Sequence, residues 1–99
     1  MEHKIKAKIV SMEYGLQEYK EIEMIRVKGE NHSLLILQNY MPLLGRLDGY
    51  VDLVLKDETL RIQNVQGYYM HKKNEFSLLV EKGDTKPISY IEEEDVDAR

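Results

Sequence analysis

The side chains from which catalysis or metal binding could be built are few: three histidines, four serines and no cysteine in 99 residues. A metal site needs ligands that converge, and His3, His32 and His71 show no His-x-x-x-His or carboxylate spacing that would bring them together. They read as surface or turn residues. Ser11, Ser33, Ser77 and Ser89 each lack the flanking glycines of a nucleophile elbow, and with cysteine absent the choice of nucleophile is nearly exhausted. The glycines at 15, 29, 45, 49, 67 and 83 are spaced as turn punctuation, and none forms a phosphate-cradling loop ahead of a helix. The expectation is a chain that is not an enzyme and carries no metal or cofactor.

Tyrosine is the more informative type, with seven against one phenylalanine and no tryptophan. A tyrosine offers an apolar ring for contact and a hydroxyl that prefers water. Tyr40, Tyr50, Tyr68 and Tyr69 are candidates for a partner surface, or else fill the rim of a core. Tyr68 and Tyr69 are adjacent, so on a regular strand they point to opposite faces and at most one enters the core. The stripe Lys4, Lys6, Lys8 reads as a solvated face that discourages unwanted strand pairing, with a docking edge for an acidic partner as the other reading.

These residues must be positioned by short strands. Lys4-Ile5-Lys6-Ala7-Lys8-Ile9 alternates strictly, as a half-buried strand does. The run at 21–27 begins with period two and slips at Met24-Ile25, as at a bulge or bend. Residues 34–37 suit a strand covered on both faces, and Pro42 then interrupts the chain. Asp48-Gly49 predicts a turn before a strand at 50–55; 56–59 predicts the turn of a hairpin to 60–63. Gly67 precedes a strand at 68–71, Lys72-Lys73-Asn74-Glu75 is a further turn, and 76–80 is a last strand ended by Gly83-Asp84.

Strands at this spacing, each with one apolar face, predict an all-β fold: an antiparallel β-sandwich or flattened barrel of about 8–10 short strands. The chain is long enough for one domain, expected over 1–83, and the acidic run within 84–99 reads as a frayed, solubilising tail. Net charge is -4, with acidic and basic residues interspersed, so no continuous positive surface awaits nucleic acid. Absent cysteine and a start lacking the apolar stretch of a signal peptide predict a cytoplasmic protein.

One stretch carries more than pattern. GENHSLLILQNYMPLL at 29–44 resembles, without gaps, the signature G-E-x-G-E-x-G-I-L-P-G-H-A-P-L-L of the ATP synthase epsilon subunit, known as delta in mitochondria, with Gly29, Glu30, Ile36, Leu37, Pro42, Leu43 and Leu44 matching. Ile22, Ile25 and Val27 fall on the apolar positions that precede it, and Leu47 follows in register. Val65 to His71 and Asn74 to Leu79 resemble a second pair of family blocks, S-G-G-F-L-E-V and N-x-V-T-V-L. The likeness covers about residues 3 to 82. It departs at Gln38-Asn39-Tyr40-Met41, where the family has Pro-Gly-His-Ala, and at His32, Leu35 and Gln66, which occupy family glycine positions. Asn39 tolerates left-handed backbone better than most residues.

The resemblance is to the N-terminal sandwich domain alone, with no C-terminal helical hairpin, so inhibition of ATP hydrolysis and ATP binding are not carried over. It implies a non-catalytic central-stalk module that contacts the gamma subunit and the membrane c-ring and supports proton-driven ATP synthesis. Such a module meets the membrane only through the complex. The implied contact residues are Glu30, Asn31, His32, Ser33, Gln38, Asn39, Tyr40, Met41 and Pro42, to which the tyrosine argument adds Tyr68 and Tyr69. The alternative is an epsilon-like sandwich recruited to another cytosolic assembly, which the altered loops and absent hairpin would permit.

Overall fold

In the computed structural model the described residues are 4–83 and 85–91. They form eight strands and no helix: β1 (Ile5–Ser11), β2 (Gly15–Ile22), β3 (Met24–Gly29), β4 (Ser33–Ile36), β5 (Leu43–Val54), β6 (Thr59–Lys72), β7 (Glu75–Lys82) and β8 (Ile88–Tyr90). The expected all-β class is what is found. Hydrogen bonding joins them in the order β2-β1-β7-β6-β5-β3-β4, with β8 on β6, and the sheet does not close into a barrel. One pairing departs from the expected antiparallel scheme: β1 runs parallel to β7, Ala7 beside Phe76 and Ile9 beside Leu78.

Two strands are longer than the sequence suggests. β5 runs unbroken for 12 residues and β6 for 14, so Asp48-Gly49 and Gly67 lie inside strands and not at turns. Glycine is there for close backbone approach: a Cβ on Gly49 would collide with the carbonyl oxygen of Lys28, and one on Gly67 with that of Leu79. Beside Gly49 the β5–β6 register shifts, with Gly49 opposite Val65 and Val51 opposite Ile62. β6 thus holds one extra residue, and Asn64 takes a left-handed backbone (φ 59°) to accommodate it. The inward positions of β6 accordingly change from Ile62 to the odd-numbered Val65, Tyr69 and His71. The sheet bends at this point and splits into two layers. The first comprises β2, β1, β7 and the adjoining halves of β6 and β5; the second comprises the other halves of β5 and β6 with β3, β4 and β8.

Between the layers lies one apolar core. β1 contributes Ile5, Ala7 and Ile9, β7 contributes Phe76, Leu78 and Val80, and the opposite layer supplies Ile25, Val27, Ile36, Val51, Leu53 and Ile62. Each inward Leu, Ile or Val stabilises the fold by about 1.5–3 kcal/mol relative to exposure. The slip at Met24-Ile25 marks the junction of two strands with a bend at Glu23 between them, the second of the two expected causes. β2 ends at Ile22 on β1, and β3 begins at Met24 on β5.

The ordered body continues past residue 83. Thr85 is fully buried, its hydroxyl 3.3 Å from that of Ser11, and Ile88–Tyr90 pairs with β6. His3, Asp84 and the acidic residues 92–97 lie outside the described residues.

Candidate protein-binding face

The outer face of the first layer holds the candidate site. On β1, β7 and β6 the inward residues are apolar apart from Ser11 and His71, and at one level the outward ones are apolar too. Register aligns them: Leu16 on β2 faces Val10 on β1, Val10 faces Leu79 on β7, Leu79 faces Tyr68 on β6, and Tyr68 faces Arg46 on β5. One step along the strands, Met70 faces Leu44. Leu44 is 77% exposed, Leu79 54% and Tyr68 44%; Leu16, Val10 and Met70 are likewise open to solvent. Strands lie about 4.8 Å apart, so the row from Leu16 to Tyr68 runs about 15 Å across the sheet.

Polar residues border this stripe. Arg46 places its guanidinium 5.7 Å from the Tyr68 ring centroid, a cation–π contact that holds the ring. On the other side Lys8 and Glu75 pair at 2.9 Å. The Lys8 hydrogen bond and charge hold the Glu75 carboxyl below the usual carboxylate range and raise the Lys8 ammonium. An exposed apolar stripe with a charged border has the anatomy of a protein interface.

The residues expected at the site do not form one surface. Glu30, Asn31, His32 and Ser33 are exposed in the corner between β3 and β4, where Gly29 N–H donates to the His32 carbonyl at 2.8 Å. Gln38, Asn39, Tyr40, Met41 and Pro42 lie beyond the far end of β4, about 10 Å along the strand. Asn39 takes a left-handed conformation (φ 62°) and is pinned to the β6–β7 turn: its N–H donates to Asn74 Oδ1 at 2.6 Å, and Asn74 Nδ2 donates to Asn39 Oδ1 at 3.1 Å. Met41 and Pro42 are exposed, while Tyr40 is half-buried against the core. Tyr68 and Tyr69 point to opposite faces as the pleat requires. Tyr68 joins the stripe; Tyr69 is buried, stacked on Phe76 at 5.8 Å and laid across Gly45, and burial raises its hydroxyl pKa.

Leu16, Val10, Leu79, Met70 and Leu44 were not among the expected contacts. Their signal in the sequence was failed alternation: Ile9-Val10, Leu78-Leu79-Val80 and Tyr68-Tyr69-Met70 are apolar on both faces of a strand.

His71 differs from its expected surface or turn placement. It is fully buried, 6.4 Å from the Phe76 ring, and neither ring nitrogen has a hydrogen-bond partner. Burial pushes its pKa below the usual histidine value. Among the described residues no three His, Asp or Glu side chains gather as metal ligands.

The second layer's outer face is tied together by charge. Asp52, buried, accepts from Arg61 Nε at 2.8 Å and Nη2 at 3.1 Å and from the Tyr90 hydroxyl at 3.2 Å, with Arg26 Nη2 3.6 Å away. The Arg61 guanidinium also lies 4.0 Å from the Tyr50 ring centroid. Its hydrogen bonds to Asp52 raise its pKa further above the ordinary arginine value. This cluster clamps β3, β5, β6 and β8.

Among the described residues no helix is long and apolar enough to cross a membrane. No known protein-family model matches the chain, and no curated protein matches it in sequence.

Proposed function

We propose that this chain is a non-catalytic protein-binding module, similar to a short epsilon subunit of a rotary ATP synthase, that docks a gamma-type stalk subunit on the outer face of its first layer. The carrying observation is the registered stripe of Leu16, Val10, Leu79, Tyr68, Met70 and Leu44. An isolated domain gains nothing from holding six such side chains in water, whereas a partner covering them would gain about 25 cal/mol for each Å² of apolar surface removed from solvent. The exposed β3–β4 corner and Met41 are the reading's contacts to the c-ring. In this reading the module is cytoplasmic and reaches the membrane only through the assembly.

The pinned Asn39–Asn74 loop favours a second reading, an epsilon-like sandwich serving another cytosolic assembly. There the family's Pro-Gly-His-Ala is replaced by residues fastened to the module's own β6–β7 turn.

Affinity capture from the native cell with tagged wild-type chain and with Leu79→Asp tests both. Recovery of a gamma-type subunit by wild type and its loss in the variant supports the first reading. Stripe-dependent recovery of a different partner supports the second, and recovery that is indifferent to Leu79→Asp overturns both.

A further inference from the structure

At the end of the first layer where β1 begins, a cleft of about 480 Å³ opens between β1, β2 and the β6–β7 turn. Four lysines line it, Lys4, Lys6, Lys20 and Lys73, with Glu21, Glu75 and Asn74. The chain as a whole carries a net charge of -4, so an excess of cations here runs against its overall balance. The two glutamates do not cancel it. Glu75 is engaged by Lys8, from outside the cleft, at 2.9 Å, and Lys4 is engaged by Glu23 at 3.2 Å. Lys6, Lys20 and Lys73 make no ion pair among the described residues; Glu21 stands against them in the cleft, Glu75 acts on Lys6 by charge, and Glu18 shares an adjoining groove with Lys6 and Lys20.

Backbone geometry holds these ammonium groups around one space. Lys73 and Asn74 are both left-handed (φ 52° and 60°), as a two-residue hairpin turn demands, and Asn74 is fixed through its side-chain bonds to Asn39. Its carbonyl accepts the Lys6 N–H at 2.9 Å, which ties the turn to β1. Glu21 is also left-handed (φ 58°), which accommodates the one extra residue that β2 holds there, as Asn64 does in β6. It sits opposite the irregularity between Ile5 and Ala7, where the β1–β2 register shifts.

We propose that this cleft binds a small molecule bearing adjacent phosphate groups, held by Lys6, Lys20 and Lys73. The volume falls within the range of small-ligand sites. Three ammonium groups from three separate segments suit a ligand whose charges are spread over several oxygens, and lysine serves phosphate as a mobile point charge. A nucleic-acid backbone would need a longer positive track than this one cleft supplies.

The test is titration of ¹⁵N-labelled full chain with inorganic pyrophosphate, against sodium chloride at matched ionic strength. Saturable amide shifts confined to Lys6, Lys20, Lys73 and Asn74, and an affinity weakened about tenfold by either Lys20→Glu or Lys73→Glu, are the expected result. Both positions are exposed, so the variants fold, and an unchanged circular dichroism spectrum confirms it. Shifts that the chloride control reproduces, or binding that survives the double variant, would overturn the assignment. So would saturable binding of an oligoglutamate peptide in the same cleft with none of pyrophosphate.

Discussion

A buried imidazole with no partner makes stability respond to pH. The native state holds His71 neutral with its pKa lowered by burial, while the unfolded chain protonates it near the ordinary value of about 6.5. Below that pH the unfolded state therefore binds more protons, and unfolding free energy falls as pH drops from about 6.5 toward the lower native value; above it this contribution is constant. Urea unfolding between pH 5 and 7.5 should show the slope, and His71→Leu should flatten it. A second prediction concerns Asp52. Arg61→Ala leaves that carboxylate buried with only Tyr90 and the more distant Arg26, and destabilises the fold by about 2 kcal/mol, reduced from the fully buried case because Arg61 is a third exposed. An urea midpoint unchanged by Arg61→Ala would contradict the clamp. Neither residue announced this role in sequence: His71 closed the strand expected at 68–71 beside a lysine-bearing turn, and the Asp52–Arg61 pairing exists only once β5 and β6 are registered.

Strand chemistry was legible wherever one face was apolar and the other polar, as in 4–9, because period two has no other local interpretation. It was opaque where two strands or two layers meet. Leu16 to Lys20 lacks β-branched residues, so β2 was invisible until Ile22, and the bend at Gly49 looked like a chain reversal. At this scale the glycines give the sharpest prediction. Gly49→Ala and Gly67→Ala each drive a methyl into a neighbouring strand's carbonyl and destabilise by about 2 kcal/mol or more, far beyond the gain that alanine brings to an ordinary strand position. β8 is the weakest element by the same reasoning, three residues paired on one side only. Its amides should exchange hydrogen faster than those of β7, which lies between β1 and β6.

Seen whole, the molecule is a single bent sheet with its chemistry spent on packing. Its inward face is an apolar core interrupted by His71, the second layer's outer face centres on the Asp52 cluster with Leu35 and Ile88 exposed beside it, and the first layer's outer face carries the registered apolar stripe. The sequence made the two-layer class readable, yet it pointed to loop residues for partner contact, since motif resemblance concentrates attention where signature residues lie. The open stripe is scattered over five strands from Val10 to Leu79, and only register assembles it.

The measurement that bears most directly on this account is capture of the native partner by three forms of the chain: wild type, Leu79→Asp on the first layer's outer face, and Leu35→Asp on the second. Leu79 and Leu35 are similarly exposed, so both substitutions leave the urea midpoint within about 0.5 kcal/mol of wild type. The account predicts that Leu79→Asp loses the partner and Leu35→Asp keeps it. Retention by Leu79→Asp, or loss through Leu35→Asp alone, would contradict the assignment of the first layer's outer face as the binding surface.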